Sequence, residues 1–165
     1  MIALVGFMGS GKTTVGRRLA MALDVPFADL DALVEEASGL AVRDWFAHRG
    51  EPAFRAAERA ALSRACERFA AGGGVIALGG GAFEDERTRA WLAGRARTIW
   101  LDAPLDAILA RVHGDGTRPL FGDPDAVRRL FAARAPAYAR ADLRVGAGGT
   151  VAEVVDRVQA ALGRT

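Results

Sequence analysis

A chain of 165 residues, 51% apolar and 25% charged, is long enough for one globular domain with a full hydrophobic core. Its net charge of +2, without a basic run or basic residues interleaved with aromatics, argues against nucleic acid as a partner. Cys66 is the single cysteine, which excludes an internal disulfide, and no apolar run approaches the roughly 20 residues of a membrane span. The first residues show no leader pattern, so a cytoplasmic chain without membrane contact is expected.

IALV (2–5) reads as a buried strand, and GFMGSGKT follows it. Apolar residues three and four apart predict a helix over 13–23. VPFADLD (25–31) reads as a second strand and 31–38 as a helix stopped by Gly39. Short and long helices follow over 42–49 and 52–71, with Pro52 in the first turn of the second. GVIAL (74–78) is a third strand, 84–94 a helix, RTIWLDA (97–103) a fourth strand and 104–113 a helix. A loop rich in glycine and proline spans 113–124. A helix over 125–141, weakened near Pro136, a fifth strand over 143–147 and a helix over 150–163 close the chain. Strand and helix alternate throughout. That order predicts an α/β fold with a parallel sheet, helices on both faces and ligands beyond the carboxyl ends of the strands.

Lys12 is the only lysine among 22 basic residues. Gly6, Gly11, Lys12 and Thr13 fit G-x-x-x-x-G-K-[ST], between an apolar strand and a helix as the motif requires. In such a turn, backbone N–H groups point inward around an anion and the helix N-terminus adds positive charge. Gly9, Ser10, Gly11, Lys12, Thr13 and Thr14 are therefore expected to bind a nucleoside triphosphate. Lys12 supplies a compact charge for the β- and γ-phosphates, and the Thr13 hydroxyl suits Mg²⁺.

FADLD sets Asp29 and Asp31 two apart at a strand end, on one side of it by the period of two. One carboxylate can serve Mg²⁺ through water and the other can take the proton of an acceptor hydroxyl. The alternative is a helix N-cap pair. Arg55 and Glu58 share a helix face at i, i+3, which alone reads as a surface ion pair. Of two glycine triplets, Gly72–Gly74 follows a helix and fits termination. Gly79, Gly80 and Gly81 follow a strand, where bare backbone can approach a ligand. Arg118, in TRPLF, suits a lid that closes on the transferring phosphate, and Arg134 precedes Pro136. Taken singly, each arginine could equally be a solvated surface charge.

Together these segments resemble the shikimate kinases. The resemblance covers nearly the whole chain: GFMGSGKT, the DLD pair, G-E-x-x-F-R-x-x-E from Gly50 to Glu58, LGGGA, TRPL and RAPAY, in family order. It implies one domain over 1–165, a three-layer P-loop fold with a five-stranded parallel sheet. A substrate-binding insertion lies at about 31–60 and a lid loop at about 112–124. It also implies transfer of the ATP γ-phosphoryl to the 3-hydroxyl of shikimate with Mg²⁺. By resemblance, Arg55 and Arg134 grip the substrate carboxylate and Glu58 organises that pocket. Asp31 binds ring hydroxyls and is the candidate base, while Asp29 and Thr13 stand on the metal side. Gly79, Gly80 and Gly81 line the substrate, Arg118 closes on the phosphates and Arg111 packs on adenine. Lys12, Asp31 and Arg118 are the expected catalytic set, and the partners are ATP and shikimate alone, with the chain a monomer.

Two rivals remain at this point. A P-loop kinase of another hydroxy acid such as gluconate would need partners other than Arg55, Glu58 and the second triplet. A non-catalytic nucleotide-binding module would be expected to lose an aspartate or the lid arginine, and neither is lost.

Overall fold

A computed structural model describes residues 1–112 and 123–163, apart from the side chains of Phe46, Arg111 and Val112. Five strands run in the order β1 (Ile2–Val5), β2 (Phe27–Asp29), β3 (Val75–Ala77), β4 (Arg97–Asp102) and β5 (Leu143–Gly146). The helices are α1 (Lys12–Ala22), α2 (Leu30–Ser38), α3 (Val42–Phe69), α4 (Glu86–Leu92), α5 (Leu105–Val112), α6 (Pro124–Tyr138) and α7 (Val151–Ala161). A 3₁₀ turn covers Ala82–Glu84.

The sheet is parallel throughout in the order β2-β3-β1-β4-β5. The inner strands of a parallel sheet are covered on both faces, so β1, β3 and β4 run largely apolar without alternation. Leu4, Val5, Ile76, Ile99 and Leu101 are accordingly buried. The crossover from β1 to β2 runs one way along the sheet, and those from β2 to β3, β3 to β4 and β4 to β5 run the other way. Right-handed crossovers then place α1 on one face and α2 to α6 on the other. α7 follows the last strand and packs against α1.

The register sets the strand ends level. Asp29 and Leu4 both pair with Ala77, one from each side. The chain therefore leaves β1, β2 and β3 side by side, at the point where strand order reverses.

Three boundaries differ from the sequence reading. The second strand ends at Asp29 because the Asp29 carboxylate caps α2, accepting from Asp31 N at 3.1 Å and Ala32 N at 3.4 Å. Asp31 thus lies in the first helical turn, and the period-two argument for the pair does not apply. The two helices expected at 42–49 and 52–71 are present, the second ending at Phe69 rather than 71, and they meet at Gly50, whose φ of 73° and ψ of 167° are non-helical. A left-handed backbone there suits glycine, and it redirects the chain just before Glu51 and Arg55. The helix expected at 84–94 begins at Glu86, because Asp85 caps it by accepting from Arg87 N at 2.9 Å. Pro136 stays within α6, which ends two residues beyond it.

Candidate active site

The turn after β1 wraps the start of α1. Gly11 caps that helix with φ 95°, a left-handed conformation that tips the loop N–H groups toward the helix N-terminus. Lys12 is buried, and its Nζ donates to Gly6 O and Phe7 O, each at 2.8 Å, so the ammonium lies across the mouth of its own loop. Ser10 is buried beneath it, and its Oγ has no hydrogen-bond partner among the described residues. Thr13 and Thr14 are exposed at the helix start.

The two aspartates diverge from one short segment. Asp29 Oδ2 accepts from Thr13 Oγ1 at 2.7 Å while its other oxygen caps α2. Asp31 points the other way: a Cβ built on Gly79 would overlap Asp31 Oδ1 and come within 2.8 Å of Glu58 Oε1. One carboxylate faces the phosphate cradle and the other faces the glycine triplet.

That triplet gathers the remaining groups. A side chain at Gly81 would overlap the tip of Arg55. One at Gly80 would meet Met8 N at 3.4 Å and Arg134 Nη1 at 3.5 Å. Gly80 therefore abuts both the phosphate loop and the Arg134 guanidinium, a wall shared by the two. Gly79–Gly81 bring functional side chains close together, beyond offering the N–H donors expected from sequence.

Arg55 is tied at both terminal nitrogens, to Glu58 Oε2 at 2.6 Å and Glu51 Oε1 at 3.0 Å. Glu58 is 2% exposed, so the surface reading of this i, i+3 pair is replaced by a buried one. Its other oxygen, Oε1, has no hydrogen-bond partner among the described residues. Burial pushes the Glu58 carboxyl up to about 7, against the attraction of Arg55 and with the help of the charges of Asp31 and Asp85. Arg55 itself is held firmly charged: its two carboxylate partners outweigh its own burial.

Arg134 comes from α6. Its Nε stands 2.6 Å from Glu84 Oε1, and Tyr138, one turn later, donates to Gly80 O at 2.5 Å. Glu51, Pro52, Arg55, Gly81, Glu84 and Asp85 line an open cavity of about 410 Å³, within the size range of small-molecule sites. Glu51 and Tyr138 stand in quoted motifs but were given no role, and Glu84 was missed, because nothing local distinguishes it from a surface residue.

An oxygen-only pair, the Thr13 hydroxyl and the Asp29 carboxylate, suits Mg²⁺, which keeps waters and shares phosphate oxygens rather than needing a full protein cage. Among the described residues no group of three or more His, Cys, Asp or Glu side chains is placed to hold a metal ion. Arg118 and the expected lid, and the side chain of Arg111 at the end of α5, lie outside the described residues.

Comparison with known proteins gives a consistent match. A family model described as shikimate kinase matches residues 8–162. A shikimate kinase of Rhodopseudomonas palustris is 41% identical over 98% of this chain and 80% of its own length. The solved shikimate kinase of Acinetobacter baumannii in complex with shikimate superposes with a TM-score of 0.88 at 32% identity, covering 98% of this chain and 92% of that one. A gluconokinase from Sinorhizobium meliloti superposes less closely, with a TM-score of 0.63 at 20% identity, covering 98% of this chain and 90% of that one, which is a likeness of fold alone.

Proposed function

The chain belongs to the shikimate kinase family, and from that premise we propose how its side chains divide the work. It is an ATP-dependent phosphotransferase that moves the γ-phosphoryl of ATP to the 3-hydroxyl of shikimate, giving shikimate 3-phosphate and ADP.

Phosphoryl transfer asks the protein chiefly to position two substrates and balance charge. The 9–14 cradle holds the triphosphate, with Lys12 at the β- and γ-phosphates. Thr13 and Asp29 stand where Mg²⁺ would be held, Asp29 through water. Mg²⁺ held there would supply positive charge to offset that of the triphosphate. Asp31 takes the proton of the acceptor hydroxyl, since it faces the triplet rather than the cradle. Arg55 and Arg134 hold the acceptor carboxylate by charge-assisted, forked contacts, and Glu58 fixes Arg55 from behind. Gly79, Gly80 and Gly81 form the floor beneath the acceptor. Arg118 closes on the transferring phosphate and Arg111 packs on adenine, both by family resemblance.

The observation that carries this assignment is the shared wall at Gly80. There Arg134 meets the phosphate loop, Arg55 stands at the next glycine, and the carboxylates of Asp29 and Asp31 face the cradle and the triplet respectively. We read the chain as a cytoplasmic monomer whose partners are these two small molecules, which sedimentation at assay concentration would test. No described helix is long and apolar enough to cross a membrane. The deciding experiment is coupled ADP release with shikimate, quinate and gluconate. Turnover with shikimate far above the other two is expected. Equal rates with gluconate, or ADP binding without turnover, would overturn the substrate assignment.

A further inference from the structure

Arg134 is held by several neighbours, of which Glu84 is one that sequence reasoning did not single out. Its side chain is only 13% exposed, its Cζ lies 5.8 Å from the Phe7 ring centre, and its Nη1 stands beside Gly80. Its Nε has no aligned hydrogen bond, yet Glu84 Oε1 stands 2.6 Å away, so that contact is one of charge. Glu84 is itself tied to the triplet, because its backbone N–H donates to Gly81 O at 3.1 Å. Tyr138 is tied to the same triplet through its hydroxyl on Gly80 O. The guanidinium is thus bracketed by two residues anchored on the acceptor floor.

A guanidinium can take a carboxylate on its Nε side or on its terminal edge. Glu84 occupies the Nε side. We propose that Glu84 is a positioning residue that sets acceptor specificity: by holding the Nε side of Arg134 it turns the terminal nitrogens toward the pocket, where the acceptor carboxylate docks between Arg134 and Arg55. The proposal rests on the reading of Arg134 as a carboxylate grip. Glu84 does not touch the acceptor. Its charge also lines the cavity mouth, beside Glu51 and Asp85. An acid can overcome that negative rim only when both arginine edges are in place to receive it.

The test is a double-mutant cycle with Glu84→Gln, Arg134→Ala and the pair, plus Glu84→Asp, assayed with shikimate and with its carboxamide. Glu84→Gln is expected to raise the KM for shikimate about three- to tenfold, within the range of coupled neighbours, with kcat and the KM for ATP unchanged. The preference for acid over amide should shrink by the same factor, and Glu84→Asp should recover part of it. In the Arg134→Ala background, Glu84→Gln should no longer raise the KM for shikimate, because only the loss of its charge from the cavity lining is left to act. An unchanged or lowered KM in Glu84→Gln, or an equal effect in both backgrounds, overturns the proposal while leaving the shikimate assignment intact. A wild type that turns over shikimate yet treats acid and amide alike removes the grip itself. Wild-type failure to phosphorylate shikimate at all is instead the failure of the functional reading.

Discussion

Lys12 is the one basic position where this chain departs from arginine, and its two carbonyl contacts show why. A compact ammonium fits inside the turn, and a planar fork needs more room. Both Lys12→Ala and Lys12→Arg should therefore lose turnover by about 10²–10³-fold, the scale of removing one transition-state donor, while the melting temperature of Lys12→Ala stays close to wild type. Near-normal ADP release from either variant would remove Lys12 from the mechanism. The aspartates can be separated because asparagine caps a helix about as well as aspartate does. Asp29→Asn should keep α2 and change mainly the Mg²⁺ dependence, whereas Asp29→Ala should also cost about 1 kcal/mol of stability. Asp31→Asn should lose about 10²–10⁴-fold in turnover with ATP binding retained. If Asp31→Asn alters only the Mg²⁺ dependence, the two roles are exchanged.

At the scale of elements, the two glycine triplets give a controlled comparison. Gly72 faces open space, Gly73 carries φ 79° and donates to Phe69 O at 2.8 Å, and the segment ends α3. Gly81 faces the Arg55 guanidinium. Gly72→Ala should leave activity and stability unchanged. Gly81→Ala should push the Arg55 tip aside and raise the KM for shikimate about tenfold, with the KM for ATP unmoved. Equal shikimate kinetics in the two variants would show that Arg55 has room to adapt. The contrast was legible in the sequence because one triplet follows a helix and the other a strand. The five strands, the phosphate turn and the break at Gly50 were legible for similar local reasons: apolar runs, glycine spacing and a proline two residues on. The cap at Asp29 was weighed but not preferred, since a strand ending in D-L-D and a helix starting with it share one sequence. Glu84 on Arg134 was not legible. The two residues are far apart in sequence, and their meeting depends on where β3 delivers the triplet relative to α6. The burial of Glu58 was hidden similarly, because an i, i+3 arginine–glutamate pair looks the same on a surface as beneath a glycine floor.

Across the whole molecule, α3 sets the buried Glu58 carboxyl against the glycine triplet, beside the arginine proposed to receive the acceptor carboxylate, and this couples folding, binding and pH. Glu58 ordinarily titrates near 4.5, but in the folded chain it is pushed up to about 7, first by burial and then by Asp31 and Asp85, against Arg55. Below 4.5 it is protonated in both folded and unfolded chains and its contribution is fully present. As pH rises toward about 7, the unfolded chain releases the proton first and stability falls; above the folded value the loss levels off. Asp85 and Asp142 act oppositely and in a separate window. Backbone and side-chain hydrogen bonds hold both below the usual carboxylate range against the burial that opposes them, so their stabilisation is lost only in stronger acid. The stability advantage of wild type over Glu58→Gln should thus decline between about pH 4.5 and 7, measured by thermal melts, and a pH-independent difference would show that Glu58 does not titrate there. Substrate binding should act on the same proton. A carboxylate docked on Arg55 shares the one cation that opposes Glu58 protonation, so the Glu58 carboxyl should rise further. Shikimate binding near neutral pH should therefore take up protons and weaken as pH rises through that range. Calorimetry in two buffers of different ionisation enthalpy reads the uptake directly, and Glu58→Gln should abolish it. If wild type binds shikimate with no buffer dependence, Arg55 does not exchange its charge between Glu58 and the acceptor, and the carboxylate is held by Arg134 alone.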